Sequence, residues 1–343
     1  GATLILCSHL GRPKGAVVDG LRLDPVADRL RSLGVEVSKL DRVVGPEVDA
    51  AAERAAPGDV LLLENLRFEP GEERGDPAFA DALARPAAAY VDDAFGAAHR
   101  AHASVVGVAE RLPSAAGRLM QAEVEALTRV RDDPARPFVA ILGGAKVSDK
   151  LGVVEALIER VDALLVGGAM AFTFLAARGL EVGESLVEPD RFDDVRAAEQ
   201  KAKERGVDLR LPVDVVVADR AEAGATPRTV EAGAIPAGMK GLDVGPATVA
   251  DFGRAIGGAA TVLWNGPMGM FELAPFAAGT AGVADAVASC DGFTVVGGGD
   301  SIAALAALGR LGAIGHVSTG GGASLEFIEG RTLPGIDVLM EAA

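Results

Sequence analysis

The residues best suited to chemistry lie in the glycine-rich turn 297–301, Gly-Gly-Gly-Asp-Ser. The apolar run 293–296 before it has the β-branched content of a buried parallel strand. An Ala/Leu run with helical spacing follows, and Asp300 or Ser301 is its expected N-cap. A helix N-terminus free of bulky side chains can bind an anion through its N–H groups. Because a carboxylate repels bare phosphate, Asp300 predicts a divalent cation between the two.

Glycines also follow four other strand-like runs in the second half of the chain. These glycines are Gly143 and Gly144, Gly167 and Gly168, Gly266 and Gly269, and Gly320, Gly321 and Gly322. Each turn alone is a weak motif, and a tight strand-to-helix turn is the alternative interpretation. Five such ends are hard to explain by packing alone. They indicate a nucleotide that lies across a sheet edge, with its phosphates close to the backbone.

Two lysines, Lys146 and Lys150, follow the first of these strand ends and are four residues apart. On a helix this spacing puts both side chains on one face, where they could reach a single phosphate chain. Lysine pairs at this spacing are also common on surfaces. Glu272 is a candidate acceptor for ribose hydroxyls. Trp264 is expected in the core and not stacked on a base.

Cationic and titratable side chains follow three strand-like runs in the first half. They are His9, Arg12 and Lys14, then Arg67, then His99, Arg100 and His102. The carboxyl ends of parallel strands meet at one sheet edge, so this pattern predicts a pocket for a small, highly charged anion. The alternative is that each arginine covers apolar surface with its stem.

The elements that must position these residues alternate between strand and helix patterns. Strands are predicted over residues 3–7, 35–40, 60–63, 89–91, 138–142, 163–166, 261–264, 293–296 and 316–318. Helices are predicted over 24–33, with Asp24 as the cap, and over 45–56, 78–83 and, after a break, within 113–131. This alternation predicts an α/β fold with helices on both faces of parallel sheets.

Composition excludes several classes of protein. The 343 residues carry a net charge of −16, which argues against sequence-independent nucleic-acid binding. The uncharged stretches 163–177 and 256–271 are short for a bilayer and contain glycines, so no membrane partner is expected. Cys7 and Cys290 fit a reduced cytoplasmic protein. The P-loop pattern and the protein-kinase His-Arg-Asp loop are both absent from the sequence.

Taken together, the motifs resemble those of the phosphoglycerate kinase family, in the same order and over essentially the whole chain. They occupy residues 8–13, 64–68, 93–102, 143–150, 264–269, 297–301 and 318–324. The resemblance implies two doubly wound parallel-sheet (Rossmann-like) domains facing across a hinge. It also implies phosphoryl transfer between 1,3-bisphosphoglycerate plus ADP and 3-phosphoglycerate plus ATP, with Mg²⁺. We expect a monomer that acts by hinge bending.

The resemblance also implies a division of the chain. Residues 1–118, joined by 323–343, would form the phosphoglycerate-binding domain. Residues 119–136 would form the linker helix and hinge, and residues 137–322 the nucleotide-binding domain.

Site residues follow from the same resemblance. The residues expected to hold phosphoglycerate are His9, Arg12, Arg67 and Arg100. Those expected to act on the transferring phosphoryl group are Lys146, Lys150, Gly298, Gly299, Gly321 and Gly322. Those expected to contact the nucleotide are Gly143, Lys150, Gly167, Gly168, Pro267, Glu272, Gly299, Asp300 and Ser301. Asp300 is the expected metal ligand.

Two features depart from the family pattern. Asp92 and Ala97 stand where Asn and Thr are usual, and both positions are expected to be peripheral to the ligands. The chain begins at Gly1 inside a strand pattern. We expect a missing upstream segment that carries a strand, substrate contacts and an arginine for the transferring phosphoryl.

Two other classes of protein stay open on the residues alone. A pyridoxal-phosphate enzyme would use a glycine loop for phosphate and a lysine such as Lys146 for the Schiff base, and its visible absorbance would reveal it. The other class is a non-catalytic nucleotide-binding or interaction protein, which nucleotide binding without turnover in a chain with the upstream segment restored would favour.

Overall fold

The computed structural model describes residues 1–341, which form alternating strands and helices. The strands are β1 (Leu4–Leu6), β2 (Ser38–Lys39), β3 (Val60–Leu62), β4 (Tyr90–Asp92), β5 (Ser114–Ala116), β6 (Phe138–Leu142), β7 (Ala163–Val166), β8 (Glu181–Val182), β9 (Asp208–Arg210), β10 (Asp214–Ala218), β11 (Arg228–Glu231), β12 (Ala234–Ile235), β13 (Lys240–Val244), β14 (Thr261–Asn265), β15 (Phe293–Gly297) and β16 (His316–Ser318). The helices are α1 (Asp24–Ser32), α2 (Pro46–Arg54), α3 (Pro77–Ala84), α4 (Arg118–Asp132), α5 (Leu151–Ile158), α6 (Met170–Ala177), α7 (Phe192–Arg205), α8 (Pro246–Gly257), α9 (Ala278–Ala288), α10 (Gly299–Ala307), α11 (Gly322–Ile328) and α12 (Pro334–Glu341).

The chain forms two compact units. The first comprises Gly1–Gln121 together with the chain from Thr332 onward, and the second comprises Ala122–Arg331. The boundary between the two units lies inside α4, between Gln121 and Ala122. The sequence instead predicts that residues 119–136 form a separate linker between two domains. The division also puts α11 in the second unit, although 323–343 is predicted to join the first.

The reason for this division is that most of α4 is bound to the second unit. Glu123 is fully buried and accepts hydrogen bonds from His316, the first residue of β16, and from Thr319, which follows that strand. Arg129 lies over the ring of Phe293 at 4.1 Å. These contacts result from tertiary packing, and the periodicity of apolar residues in a helix does not predict them.

In the first unit, β1, β3 and β2 form a parallel sheet in that order, and β4 pairs with β5 in parallel. Successive residues of a strand point to opposite faces. Leu62 accordingly packs with Leu23 and Ala27 of α1 on one side. Leu63 packs with Val48 of α2 and Leu83 of α3 on the other. Helices therefore cover both faces, as the alternation predicts.

In the second unit, a six-stranded sheet has the order β16-β15-β14-β6-β7-β9, with every pair parallel. All residues of β6, β7 and β14 are buried, which explains their unbroken apolar runs. Trp264 is fully buried in the core, and its indole N–H donates to Gly266 O at 2.8 Å. The prediction that Trp264 is a core residue is confirmed.

A smaller antiparallel sheet in the order β11-β10-β13 also belongs to the second unit, and the sequence did not predict it. β8 and β12 form a further short parallel pair. These strands are short, and the β10–β13 register shifts between Val216 and Val217. Such a bulge interrupts the period-two pattern by which strands are identified.

The alternating elements of the first half are confirmed, with differences at their ends. The strand predicted over 35–40 is reduced to Ser38–Lys39, and β5 was not predicted. Asp24 is the first helical residue of α1 and not its cap, because Leu23 occupies the cap position and Pro25 the first turn. In the part of the chain that the structure describes, we find no helix that combines the length and apolarity needed to cross a membrane.

One buried acid of the first unit makes the stability depend on pH. Asp92 is 1% exposed, and its Oδ1 accepts from the backbone N–H of Ala94. Its Oδ2 has no hydrogen-bond partner among residues 1–341. Burial, with a smaller contribution from Asp93, raises the pKa of Asp92 from 3.8 to about 6. The folded state therefore prefers the neutral acid, and ionisation destabilises it as the pH rises through this range.

We expect Asp92→Asn to stabilise the protein at high pH. At pH 8 the free energy of unfolding should rise by about 1–3 kcal/mol, because the amide removes a buried charge. At pH 4 most of this gain should disappear, since the folded wild-type acid is then already neutral. Denaturant titrations at both pH values measure the difference. Asp28→Asn, at a side chain that is 76% exposed, is the control. An equal gain at both pH values would contradict the explanation.

Candidate functional site

In the first unit, the turns after β1, β3 and β4 carry the predicted cations. The structure brings Arg12 and Arg100 close to Arg67, and it brings Arg67, Arg100 and His102 close to His9. The pKa of Arg67 is lowered by burial first and then by the charges of Arg100 and Arg12, against an opposing contribution from Glu73. The pKa of His9 is lowered by burial and then by Arg67, with His102 and Arg100 contributing. Repulsion among these cations thus adds to burial at both side chains, and a bound anion would offset that repulsion.

Arg67 is fixed before any ligand arrives. It is 6% exposed, and its Nη1 donates to Gly11 O at 2.8 Å. Its backbone N–H donates to the side chain of Asn65 at 3.0 Å. Asn65 in turn donates from Nδ2 to Leu10 O and to Leu21 O, each at 2.8 Å. The sequence singled out Arg67 and missed the role of Asn65, which only these long-range contacts reveal.

A buried carboxylate, that of Glu72, lies among these cations. It accepts from Ser104 N at 3.0 Å and from Ser104 Oγ at 2.5 Å, and it lies 3.6 Å from His102 Nδ1. Burial alone would raise the pKa of Glu72, but the contact with His102 and the hydrogen bonds from Ser104 outweigh burial and lower the pKa. Glu72 therefore anchors the loop of His102 to the turn that follows Arg67.

In the second unit, the turns after β15, β14, β6 and β7 lie side by side at the carboxyl edge of the large sheet. Lys150 joins two of these turns. Its Nζ donates to Gly143 O at 2.7 Å, to Asn265 O at 2.9 Å and to Asn265 Oδ1 at 2.6 Å. Burial lowers the pKa of Lys150 to about 8, while the charges of Asp300 and Asp149 oppose that shift. Asn265 was not among the predicted site residues.

The predicted helical pairing of the two lysines is wrong. Helix α5 begins at Leu151, so Lys146 and Lys150 both precede it in a turn. Lys146 is exposed, whereas Lys150 is directed into the oxygens described above. An i, i+4 spacing brings side chains together only in a helix. Here the segment before α5 is a turn, and Gly144 within it has a φ of 118°, outside the helical region.

The capping prediction for α10 is also wrong. Its N-cap is Gly298, with φ 89°, and no side chain caps it. Asp300 lies exposed in the first turn. The Ser301 hydroxyl is fully buried and accepts from Gly266 N at 2.7 Å. Ser301 thus ties the turn after β14 to α10, because the close approach of the two turns offers it a better donor.

Packing accounts for some of the predicted phosphate-loop glycines. A Cβ at Gly143 would lie 2.1 Å from Pro267 O, and one at Gly168 would lie 2.5 Å from Gly144 N. A Cβ at Gly167 would lie 2.4 Å from Met268 Sδ. These glycines let neighbouring turns pack on one another. Gly299 and Gly321, in contrast, have open space at the Cβ position.

A cavity of about 650 Å³ lies beside these turns. Its lining is mostly apolar, with Glu272 among the polar residues. The lining comprises Gly144, Ala145, Gly168, Ala169, Phe172, Glu184, Ser185, Leu186, Val187, Pro212, Val215, Lys240, Gly241, Leu242, Asp243, Val244, Pro267, Met268, Gly269, Met270 and Glu272. Pockets of this size and character are typical of small-molecule sites. Phe172, Leu186 and Leu242 were missed, because apolar residues carry no chemical signal in a sequence.

The cavity also contains a buried acid, Asp243, that was not predicted. Its carboxylate accepts from Gly279 N at 2.6 Å and from Val244 N at 2.9 Å. Burial raises the pKa of Asp243 to about 7. A Cβ at Gly269 would lie 2.2 Å from Asp243 Oδ1, so the cavity wall is packed directly on this carboxyl group.

The residues described include no cluster of three or more His, Cys, Asp or Glu side chains able to hold a metal. Asp300 is a single exposed carboxylate at the start of α10. That arrangement fits Mg²⁺, which usually keeps several waters and binds through one or two carboxylates together with substrate phosphates.

The chain is similar to known phosphoglycerate kinases over nearly its whole length. The family model described as phosphoglycerate kinase matches residues 1–331. The phosphoglycerate kinase of Rubrobacter xylanophilus is 59% identical over 99% of this chain and 86% of that protein. That of Moorella thermoacetica is 57% identical over 99% of this chain and 87% of that protein.

Solved structures agree with these matches. The structure of phosphoglycerate kinase from Coxiella burnetii has a TM-score of 0.86 at 40% identity, covering 98% of this chain and 86% of that one. The crystal structure of phosphoglycerate kinase from Pyrococcus horikoshii has a TM-score of 0.85 at 31% identity, with the same coverage. The chain therefore belongs to the phosphoglycerate kinase family, glycolytic phosphotransferases that act on a carboxyl group.

Proposed function

We propose that the two units divide the family's reaction, the reversible phosphoryl transfer between 1,3-bisphosphoglycerate plus ADP and 3-phosphoglycerate plus ATP. The cations of the first unit bind phosphoglycerate, and the turns and cavity of the second bind the nucleotide. One observation carries the proposal: the ammonium of Lys150 is buried at the sheet edge, near Asp300 and the open N-terminus of α10.

The phosphoglycerate is held by Arg67, Arg12, Arg100 and His9. Guanidinium groups bind carboxylate and phosphate with two parallel hydrogen bonds, and Arg67 is already oriented by Gly11 O and Asn65. A bound anion would also offset the repulsion from Arg100 and Arg12, which adds to the larger effect of burial in lowering the pKa of Arg67.

Adenosine occupies the apolar cavity, with Glu272 accepting hydrogen bonds from the ribose. Gly168 and Pro267 line this cavity, and Gly143 and Gly167 border it by packing against Pro267 and Met268 of its lining. The nucleotide phosphates then extend toward Gly299, Asp300 and Ser301 at the start of α10, where the helix dipole favours negative charge.

In the transfer step, a carboxylate oxygen of 3-phosphoglycerate attacks the γ-phosphorus of ATP. The bond from that phosphorus to the bridging oxygen breaks, and ADP leaves. The attacking carboxylate is already ionised at neutral pH, so no base is required. Lys146 and Lys150 stabilise the charge on the transferring group, and the backbone at Gly298, Gly299, Gly321 and Gly322 approaches it without side-chain obstruction.

Mg²⁺ would be held by Asp300, directly or through water, together with the nucleotide phosphates. When bound, this ion would neutralise the charge of the phosphate chain. The exposed position of Asp300 and its single carboxylate support this assignment.

We further propose a monomer that acts in the cytoplasm without nucleic-acid or membrane partners. The net charge of −16 and the two free cysteines support this proposal. The predicted domains, 1–118 with 323–343 and 137–322, would close by hinge bending at 119–136. Helix α4 supports this, since it contributes residues to both compact units. Light scattering would test the monomeric state.

Lys150→Ala should lower kcat by about 10²- to 10³-fold, because its charge matters most where charge develops during transfer. Steady-state kinetics with ATP and 3-phosphoglycerate measure the change. Lys203→Ala, at an exposed lysine of α7, is the control and should be neutral. A higher KM for ATP with kcat unchanged would show that Lys150 has no role in the transition state.

Arg67→Ala should raise the KM for 3-phosphoglycerate by about 10- to 100-fold and leave the KM for ATP within about twofold. The reason is the loss of a charge-assisted contact to the acid substrate only. Arg85→Ala, at a half-exposed arginine that pairs with Asp49 outside the cluster, provides the control. Equal losses for both substrates would argue against separate binding sites.

Asp300→Asn should weaken Mg-ADP binding by about tenfold while magnesium-free 3-phosphoglycerate binding stays unchanged, because the amide is a poorer ligand for a hard cation. Calorimetry with each ligand separately tests this expectation. ADP binding should also lose its dependence on magnesium in the variant. Retention of that dependence would remove Asp300 from the metal site.

A further inference from the structure

The turn that carries Lys146 and Lys150 is held by one carboxylate from outside its own segment, that of Glu188. Ser148 donates to this carboxylate twice, from its backbone N at 3.1 Å and from its Oγ at 2.6 Å. Partial burial alone would raise the pKa of Glu188, but the hydrogen bonds from Ser148 and Val147 outweigh it and lower the pKa. The side chain is therefore a charged acceptor at neutral pH.

Glu188 is anchored through its backbone to α6, whose Phe172 lines the cavity. Its backbone N–H donates to Thr173 Oγ1 at 3.1 Å, and Thr173 is a fully packed residue of α6 with 1% exposure. The two residues before it, Leu186 and Val187, line the cavity of about 650 Å³. One short segment thus forms part of the apolar cavity wall and also holds the lysine turn.

We propose that Glu188 is a positioning residue that links the adenosine cavity to the lysine turn. When a nucleoside fills the cavity and fixes its wall, the carboxylate of Glu188 fixes the backbone at 147–148, and with it Lys146 and Lys150. This inference rests on the proposed role of the two lysines toward the nucleotide phosphates.

The geometry explains why a carboxylate is needed. Each of its oxygens accepts from one donor of Ser148, so the turn is gripped at two points. In glutamine the one oxygen can still accept from Ser148 N, but the amide nitrogen can only donate to Ser148 Oγ, so the negative charge and one of the two acceptors are lost. Without this grip, the backbone of the turn keeps a local bond from Lys150 N to Val147 O at 2.9 Å. Because the lysine turn is then no longer fixed by Glu188, we expect the affinity for phosphates to fall while the cavity itself stays intact.

The test compares adenosine with ADP, since only ADP presents phosphates to the lysines. Calorimetry gives the dissociation constants of adenosine and of ADP for the unsubstituted protein and for Glu188→Gln. We expect ADP binding to weaken about tenfold and adenosine binding to change by less than about twofold, so the preference for ADP falls about tenfold. Asp190→Asn, two residues away and 74% exposed, is the matched control and should retain the preference.

Ser148→Ala is a second variant that removes one of the two donors and should show a smaller fall in the same ratio. An unchanged preference for ADP in both variants would overturn the proposal. Equal weakening of adenosine and ADP would also overturn it, because that result indicates damage to the cavity. If Lys146→Ala and Lys150→Ala reduce the preference while Glu188→Gln does not, this linkage alone fails. If the lysine variants leave it unchanged, the proposed role of the lysines fails as well.

Discussion

The second unit depends on one buried ammonium group, that of Lys150, which donates to two neighbouring turns at the edge of its large sheet. Three oxygens, all from Gly143 and Asn265, replace the water that the charge loses on burial. This compensation is incomplete, and burial still lowers the pKa to about 8. A buried cation held in this way costs stability, and buried groups with shifted pKa values are common at functional sites.

The turns around this lysine pack so closely that side chains are excluded between them. Gly143 and Gly168 contact neighbouring backbone directly, and the hydroxyl of Ser301 bonds to the turn after β14. A site made of backbone held by backbone has little freedom to rearrange. The open space beside positions such as Gly299 is therefore fixed in shape.

The first unit also contains a buried charged group, but this group is a carboxylate and not an ammonium. There a buried anion, Glu72, lies beside the cations. Asn65 contributes neutral hydrogen bonds that fix Arg67 without cancelling its charge. Both units thus pre-orient their charged groups through buried polar side chains that need not touch a substrate. These supporting residues are the ones that motifs did not single out.

The sequence by itself determined the α/β fold, the buried parallel strands and the cations and glycines at their ends, because local periodicity and residue type report these features directly. Runs such as 138–142 and 163–166 are apolar throughout since both faces of the sheet are covered. Only the tertiary structure decided the partners of Lys150, the cap of α10, the antiparallel sheet and the linking position of Glu188. Lys150 and Asn265 are 115 residues apart. Which donor meets which acceptor depends on how distant segments pack, and no local pattern encodes that.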